Sequence, residues 1–230
     1  SVLISWDNFN LYEGVYIAKV TDANSVVSNN AATVYLSGYE PDQEQNKKDG
    51  ERDTAGVGAI FSAKAKAAVE SVTAHSARLQ TFKLATEGSQ ITLVNAYAPQ
   101  NGRPLAERRE FYDQLDNIIE KHTARHPVYV IGDLNARIHR AFPDENNYFG
   151  PYIYGDPDWR PRSESIAAAN EDLIQTNRVF LKQFCHQHGY IVKNTFLKKR
   201  PAKQVTYVDP TQPNKMAPPI DHTTGRVSRH

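Results

Sequence analysis

One cysteine, Cys185, stands in a chain of 230 residues, which excludes an internal disulfide. It sits in a helical pattern and is expected to be a buried thiol rather than a nucleophile. No apolar run approaches the roughly 20 residues that a membrane-spanning helix needs. Charge of one sign is lacking too: 27 Lys and Arg against 26 Asp and Glu leave a formal net charge of +1. The protein as a whole therefore has no basic signature of a nucleic-acid binder, although a local basic cleft stays open. No internal repeat is found. The sequence opens on Ser1 rather than Met, which points to a processed product or a fragment, and its start does not read as a signal peptide.

What is present reads as one α/β or β-rich domain, long enough to bury a core without disulfides. GVGAIF (56–61), AAVESVT (67–73), RLQTFKLA (78–85) and ITLVNAYAP (91–99) read as strands. The period then changes. Phe111, Leu115, Ile118, Ile119 and His122 recur at helical spacing, with Pro104 at the start and Lys121 and His122 at the dipole-negative end. They predict a helix over 104–123 with Arg109, Asp113, Asp116 and Glu120 on the polar side. A strand at 127–131 follows, and strand–helix–strand order points to a layered unit. The proline- and aromatic-rich stretch 139–165 reads as a long ordered surface excursion, with Trp159, Tyr148, Tyr152 and Tyr154 anchoring it or, as the alternative, stacking on bases. A second helix is expected over 173–188, stopped by Gly189. YIVKNTFL and KQVTYV read as late strands about a basic turn, and the stretch after Val208 as a proline-rich tail.

The chemistry-bearing motif is YVIGDLNARIHR (129–140), in which an apolar run ends at Gly132 and is followed by Asp133 and Asn135. Two residues apart in an extended backbone, both side chains can face one side. The plain alternative is a turn cap, since Asp and Asn readily bond nearby backbone N–H groups. His75, His186 and His188 show no zinc framework, and helical spacing does not gather Cys185 with the latter two.

AGVGAIF, ITLVNAYAPQNGRP, REFYDQLDNII, YVIGDLNARIH, FGPYIYG, NRVFLKQFCHQHG, NTFLKKRPAKQVTY and PPIDH occur in order over about residues 33–222. This ordered set resembles the endonuclease/exonuclease/phosphatase superfamily, and within it the apurinic-type endonuclease domain of non-LTR retrotransposons. The resemblance implies a four-layer α/β sandwich, two facing and mostly antiparallel sheets with outer helices, here lacking a recognisable first strand. It implies a divergent segment over 1–32, the domain proper over 33–208 and an extended tail over 209–230 that keeps an IDH stretch. The family's chemistry is magnesium-assisted phosphodiester hydrolysis, which suits carboxylate and amide oxygens.

Carried over by residue, the resemblance makes Asp133 the water-activating aspartate and Asn135 the amide that holds the phosphate. Tyr97, in NAYAP, becomes the tyrosine beside the scissile phosphate. Asp221, in PPIDH, becomes the aspartate that orients a catalytic histidine, with His222 where tyrosine is usual; a second alignment makes Asp221 and His222 the catalytic pair itself. Arg103 and the basic turn Lys198, Lys199, Arg200 and Lys203 are candidate nucleic-acid contacts, each equally readable as a solvated loop. Asn101 is expected to cap the helix that follows it.

The pattern departs from the family at both ends. SWDNFN (5–10) only echoes the first strand. Glu13, Glu40 and Glu44 are available carboxylates, but none lies in the QE context of the metal-ligand glutamate, so no metal ligand is assigned. The terminal Ser-Asp-His is replaced by VSRH. These gaps favour a noncatalytic interaction or structural subunit on this fold, needing no cofactor and working with other proteins in a larger assembly. The alternatives are a Mg2+-dependent endonuclease with DNA as substrate, and a nonenzymatic nucleic-acid-binding module. The sequence names no compartment; an intracellular place, the nucleus or an organelle, is the expectation.

Overall fold

The computed structural model describes residues 2–5, 24–28, 32–37, 56–122, 126–138, 143–153, 176–198 and 221–226, the strands at 2–5, 24–28 and 221–226 by backbone alone. Contacts divide the protein into two compact units, Ser1–Tyr97 and Ala98–His230.

In the first unit, β1 (Val2–Ser5), β2 (Asn24–Ser28), β3 (Ala32–Ser37) and β4 (Val57–Ser62) form an antiparallel sheet in the order β1-β4-β3-β2. A short helix, α1 (Ala63–Lys66), leads to the antiparallel meander β5 (Val69–Ser76), β6 (Leu79–Thr86) and β7 (Ser89–Tyr97). The segment before residue 33 thus contributes two strands to a sheet.

The four-stranded sheet packs on the meander. Phe82, fully buried on β6, meets Phe61 of β4 at 5.1 Å and Tyr35 of β3 at 5.8 Å between ring centroids. Alternation along β6 and β7 puts Phe82 opposite Leu93 on the face that this cluster covers. The Asn95 amide donates to Gly58 O at 2.8 Å and ties the layers. A Cβ on Gly58 would come within 2.6 Å of the end of the Leu36 side chain, which would have to move aside for any larger residue there.

In the second unit, α2 (Leu105–His122) follows Pro104 as expected. Phe111, Leu115, Ile118 and Ile119 are buried, joined by Arg108 and Tyr112. Asp116, expected on the polar face, is half-buried and pairs with His188 at 2.8 Å; burial holds its carboxyl above the usual range. The strands β8 (Val128–Asp133), β9 (Tyr190–Val192) and β10 (Asp221–Arg226) pair antiparallel in the order β8-β10-β9. Residues 221–226, within the stretch read as a tail, form the central strand of the three.

The second long helix of this unit, α3 (Asn177–His188), ends at Gly189 in the left-handed conformation, φ 67°. Tyr112 of α2 stacks on Phe180 of α3 at 5.2 Å. The strand expected over 190–197 stops at Val192 and turns into a 3-10 helix at Lys193–Thr195. There Thr195 Oγ1 donates to Val192 O at 2.6 Å and accepts the Gly150 N–H at 2.7 Å, a hydroxyl-mediated closure that competes with strand pairing. A Cβ on Gly150 would lie 2.5 Å from Thr195 O, so glycine is required. Val192 also pairs with Phe149, and Glu145, buried in the turn that leads to that segment, receives two bonds from the Arg178 guanidinium of α3.

Candidate functional site

Asp133 is the last residue of β8 and lies directly opposite Asp221 of β10 in the register; His222 lies opposite Gly132. Two candidates separated by 88 residues are thereby brought to one end of one sheet. Gly132 has φ 136° and Asn135 φ 46°, so the backbone turns sharply on either side of Leu134, which is itself buried. Asp133 Oδ1 accepts the Asn135 N–H at 2.7 Å and closes the turn. The Asn135 amide donates to Ala98 O at 2.8 Å, while the Ala98 N–H donates to Asp133 O at 2.8 Å. The turn-capping geometry foreseen as the plain alternative is therefore realised at the motif.

Asn135 tolerates the left-handed region better than most side chains, and its bond to Ala98 O adds a second reason for asparagine. Replacing it by Ala is expected to cost about 2–3 kcal/mol, one part from the left-handed backbone and one from the abandoned carbonyl. Asn135→Gly removes the backbone part and should cost less. Chemical denaturation of both variants checks the order; equal losses would mean that the backbone conformation contributes nothing.

Tyr97 ends β7 in the first unit, is 2 % exposed, and carries the Arg78 guanidinium 5.2 Å above its ring centroid. Arg78 was not foreseen; its place at the start of the RLQTF run, one residue before β6, was the available signal. Arg103 is exposed and donates from Nε to Glu107 Oε2 at 2.8 Å, an i,i+4 pair at the head of α2. Lys198 is exposed; Lys199, Arg200 and Lys203 lie outside the described residues, as do Trp159, Tyr154, Glu13, Glu40 and Glu44. Asn101 does not cap the helix after it. Its Oδ1 instead accepts the Asn177 N–H at 2.8 Å and caps α3, whose own residue before the first turn, Thr176, makes no capping bond with its hydroxyl.

Cys185 is buried and burial pushes its thiol far up, which leaves it unionised and unsuited to nucleophilic attack. His186 shares a hydrogen bond with Tyr148, His188 pairs with Asp116 and His75 bonds Thr81. Asp133, Asn135 and Asp221 are the right kinds of oxygen donor for magnesium. Among the described residues no three His, Cys, Asp or Glu side chains gather around one point. No described helix is long and apolar enough to cross a membrane.

No family model matches the sequence, and no curated protein matches it significantly. Solved structures do match. An apurinic endonuclease from Leishmania major aligns with a TM-score of 0.51 at 11% identity, over 84% of this protein and 62% of that one. The endonuclease domain of a telomere-specific non-LTR retrotransposon aligns at 0.46 and 14% identity, over 84% and 67%. A 3′ phosphatase from Neisseria, bound to product DNA hairpin, aligns at 0.49 and 12%, over 85% and 67%. The match spans about two thirds of the length of each.

Proposed function

We propose that the protein is built on the scaffold of the endonuclease/exonuclease/phosphatase superfamily, a reading supported by its structural likeness to an apurinic endonuclease. At these identities the likeness speaks to the fold alone. We propose that the protein is a noncatalytic interaction subunit on this scaffold, working with other proteins in an assembly, and that its sheets adopt the family's four-layer stacking. One observation carries the reading: one carboxylate oxygen of Asp133 and the amide nitrogen of Asn135 are engaged internally. Asp133 Oδ1 holds the Asn135 N–H, and the Asn135 amide holds Ala98 O. A phosphate would have to compete with both bonds.

The second reading is a Mg2+-dependent endonuclease acting on DNA, with Asp133, Asn135 and Asp221 at the scissile phosphate. The register that sets Asp221 against Asp133 favours it, because a carboxylate pair at one sheet end is a step toward a metal site. The two readings part in one assay. The purified full-length protein is incubated with Mg2+ and either supercoiled plasmid or a duplex carrying an abasic site. The first reading expects turnover no greater than that of Asp133→Ala. Robust turnover, abolished both by EDTA and by Asp133→Ala, would establish the nuclease.

A further inference from the structure

Asn177 was not among the expected site residues, yet it touches the loop that carries them. It is fully buried at the first turn of α3. Its amide Nδ2 donates to Pro99 O at 2.6 Å and lies 3.4 Å from Asn135 O. Its backbone N–H is held by Asn101 Oδ1, and its backbone carbonyl oxygen accepts the Tyr112 hydroxyl at 3.2 Å. One residue thus joins the 98–101 loop, the 133–135 turn, α2 and α3. Its Oδ1 finds no partner among the described residues. A buried acceptor left unmatched is costly, and an apolar side chain would fill the space without that cost. What an apolar residue could not supply is the two-hydrogen donor aimed at two backbone carbonyls. The opposite amide orientation would set Oδ1 against both carbonyls, so the donor assignment follows from the contacts.

We propose that Asn177 is the positioning residue of the Asp133–Asn135 turn, fixing the backbone on which both candidate side chains stand. Ala98 is held next to Pro99, so the same amide also steadies the carbonyl that receives the Asn135 side chain. The proposal rests on the placing of the candidate residues in this turn, and not on whether the turn binds or cleaves a phosphodiester. Asn177→Asp is the informative substitution. It keeps shape and volume and an acidic residue suits a helix N-terminus, while the amide donor is replaced by a carboxyl oxygen facing the two carbonyls.

Amide hydrogen exchange followed by NMR gives the readout. Asn177→Asp should raise exchange at the Asn135 N–H by roughly tenfold, the equivalent of one lost hydrogen bond, while amides in the middle of α2 keep their protection. Tyr112→Phe, which removes a bond to the backbone of the same residue, should leave the Asn135 N–H as in the wild type. An unchanged Asn135 amide in folded Asn177→Asp, or equal loss in both variants, would overturn the proposal. Should Asn177→Asp fail to fold, the wild type decides: the amide hydrogens on Nδ2 of Asn177 must be protected, and solvent-like exchange there would refute the role. Binding of a short DNA duplex by the wild type, measured separately, tests the endonuclease reading of the turn. Its failure leaves the exchange result standing.

Discussion

Arg178→Ala is expected to destabilise the second unit by about 3 kcal/mol, the lower end of what breaking a buried ion pair costs. The Arg178 guanidinium meets the Glu145 carboxylate through both oxygens, Nη1 to Oε1 at 2.9 Å and Nη2 to Oε2. Glu145 is only 2 % exposed, so truncating the arginine strands a carboxylate in a desolvated place. Two features keep the loss from the top of the range. Lys182 Nζ stays 3.5 Å from Glu145 Oε1, and the Arg178 side chain is 16% exposed, so water can partly replace it. Arg178 also lies 5.4 Å from the Phe149 ring centroid, and that contact goes with it. The double variant Arg178→Met with Glu145→Met should recover much of the loss, because it removes the stranded charge along with its partner. Urea unfolding of the three proteins measures this. A single variant as stable as the wild type would mean that the carboxylate is solvated after all.

That pair also marks where sequence reading stops. PDENN looks like a solvated turn, and nothing local says that its glutamate is buried; the partner is 33 residues on. The same holds for Asn177, which meets Asn101 across 76 residues and Pro99 across 78. Such pairings carry no periodic signal. Helix 105–122 was legible to within a residue at each end because its apolar positions repeat at one period and its ends carry their own marks. The meander strands were legible in the same way, from runs bounded by turn residues. DHTTGR was not, for it has no alternation and a glycine inside it. It forms a strand through partners on both sides, β8 and β9, far away in the sequence. The GDLN motif was located at a strand end and its turn-capping closure was foreseen as the plain alternative, but the bond of the Asn135 side chain could only be seen once Ala98 was placed beside it.

Leu115→Ala is expected to cost about 2–5 kcal/mol, the range for emptying a fully buried leucine site. Leu115 is 0 % exposed, midway along α2, with Phe111, Ile118 and Ile119 on the same buried face. The helix itself is indifferent to the change, since Ala is at least as good a helix former as Leu. The loss therefore measures packing and cavity terms, not propensity. Where it falls in the range depends on collapse. Tyr112 is pinned by its stack on Phe180 and by its hydroxyl on Asn177 O, so its ring is poorly placed to fill a gap one turn of helix away. A rigid neighbour of that kind argues for the upper half of the range. Glu120→Ala, exposed on the same helix, serves as control and should change stability by less than about 0.5 kcal/mol. Urea unfolding with an unchanged slope and a lowered midpoint is the expected record. A Leu115→Ala midpoint equal to that of the control would remove Leu115 from the core. It would also loosen the framework through which α2 and α3 hold Asn177, and with it the 133–135 turn.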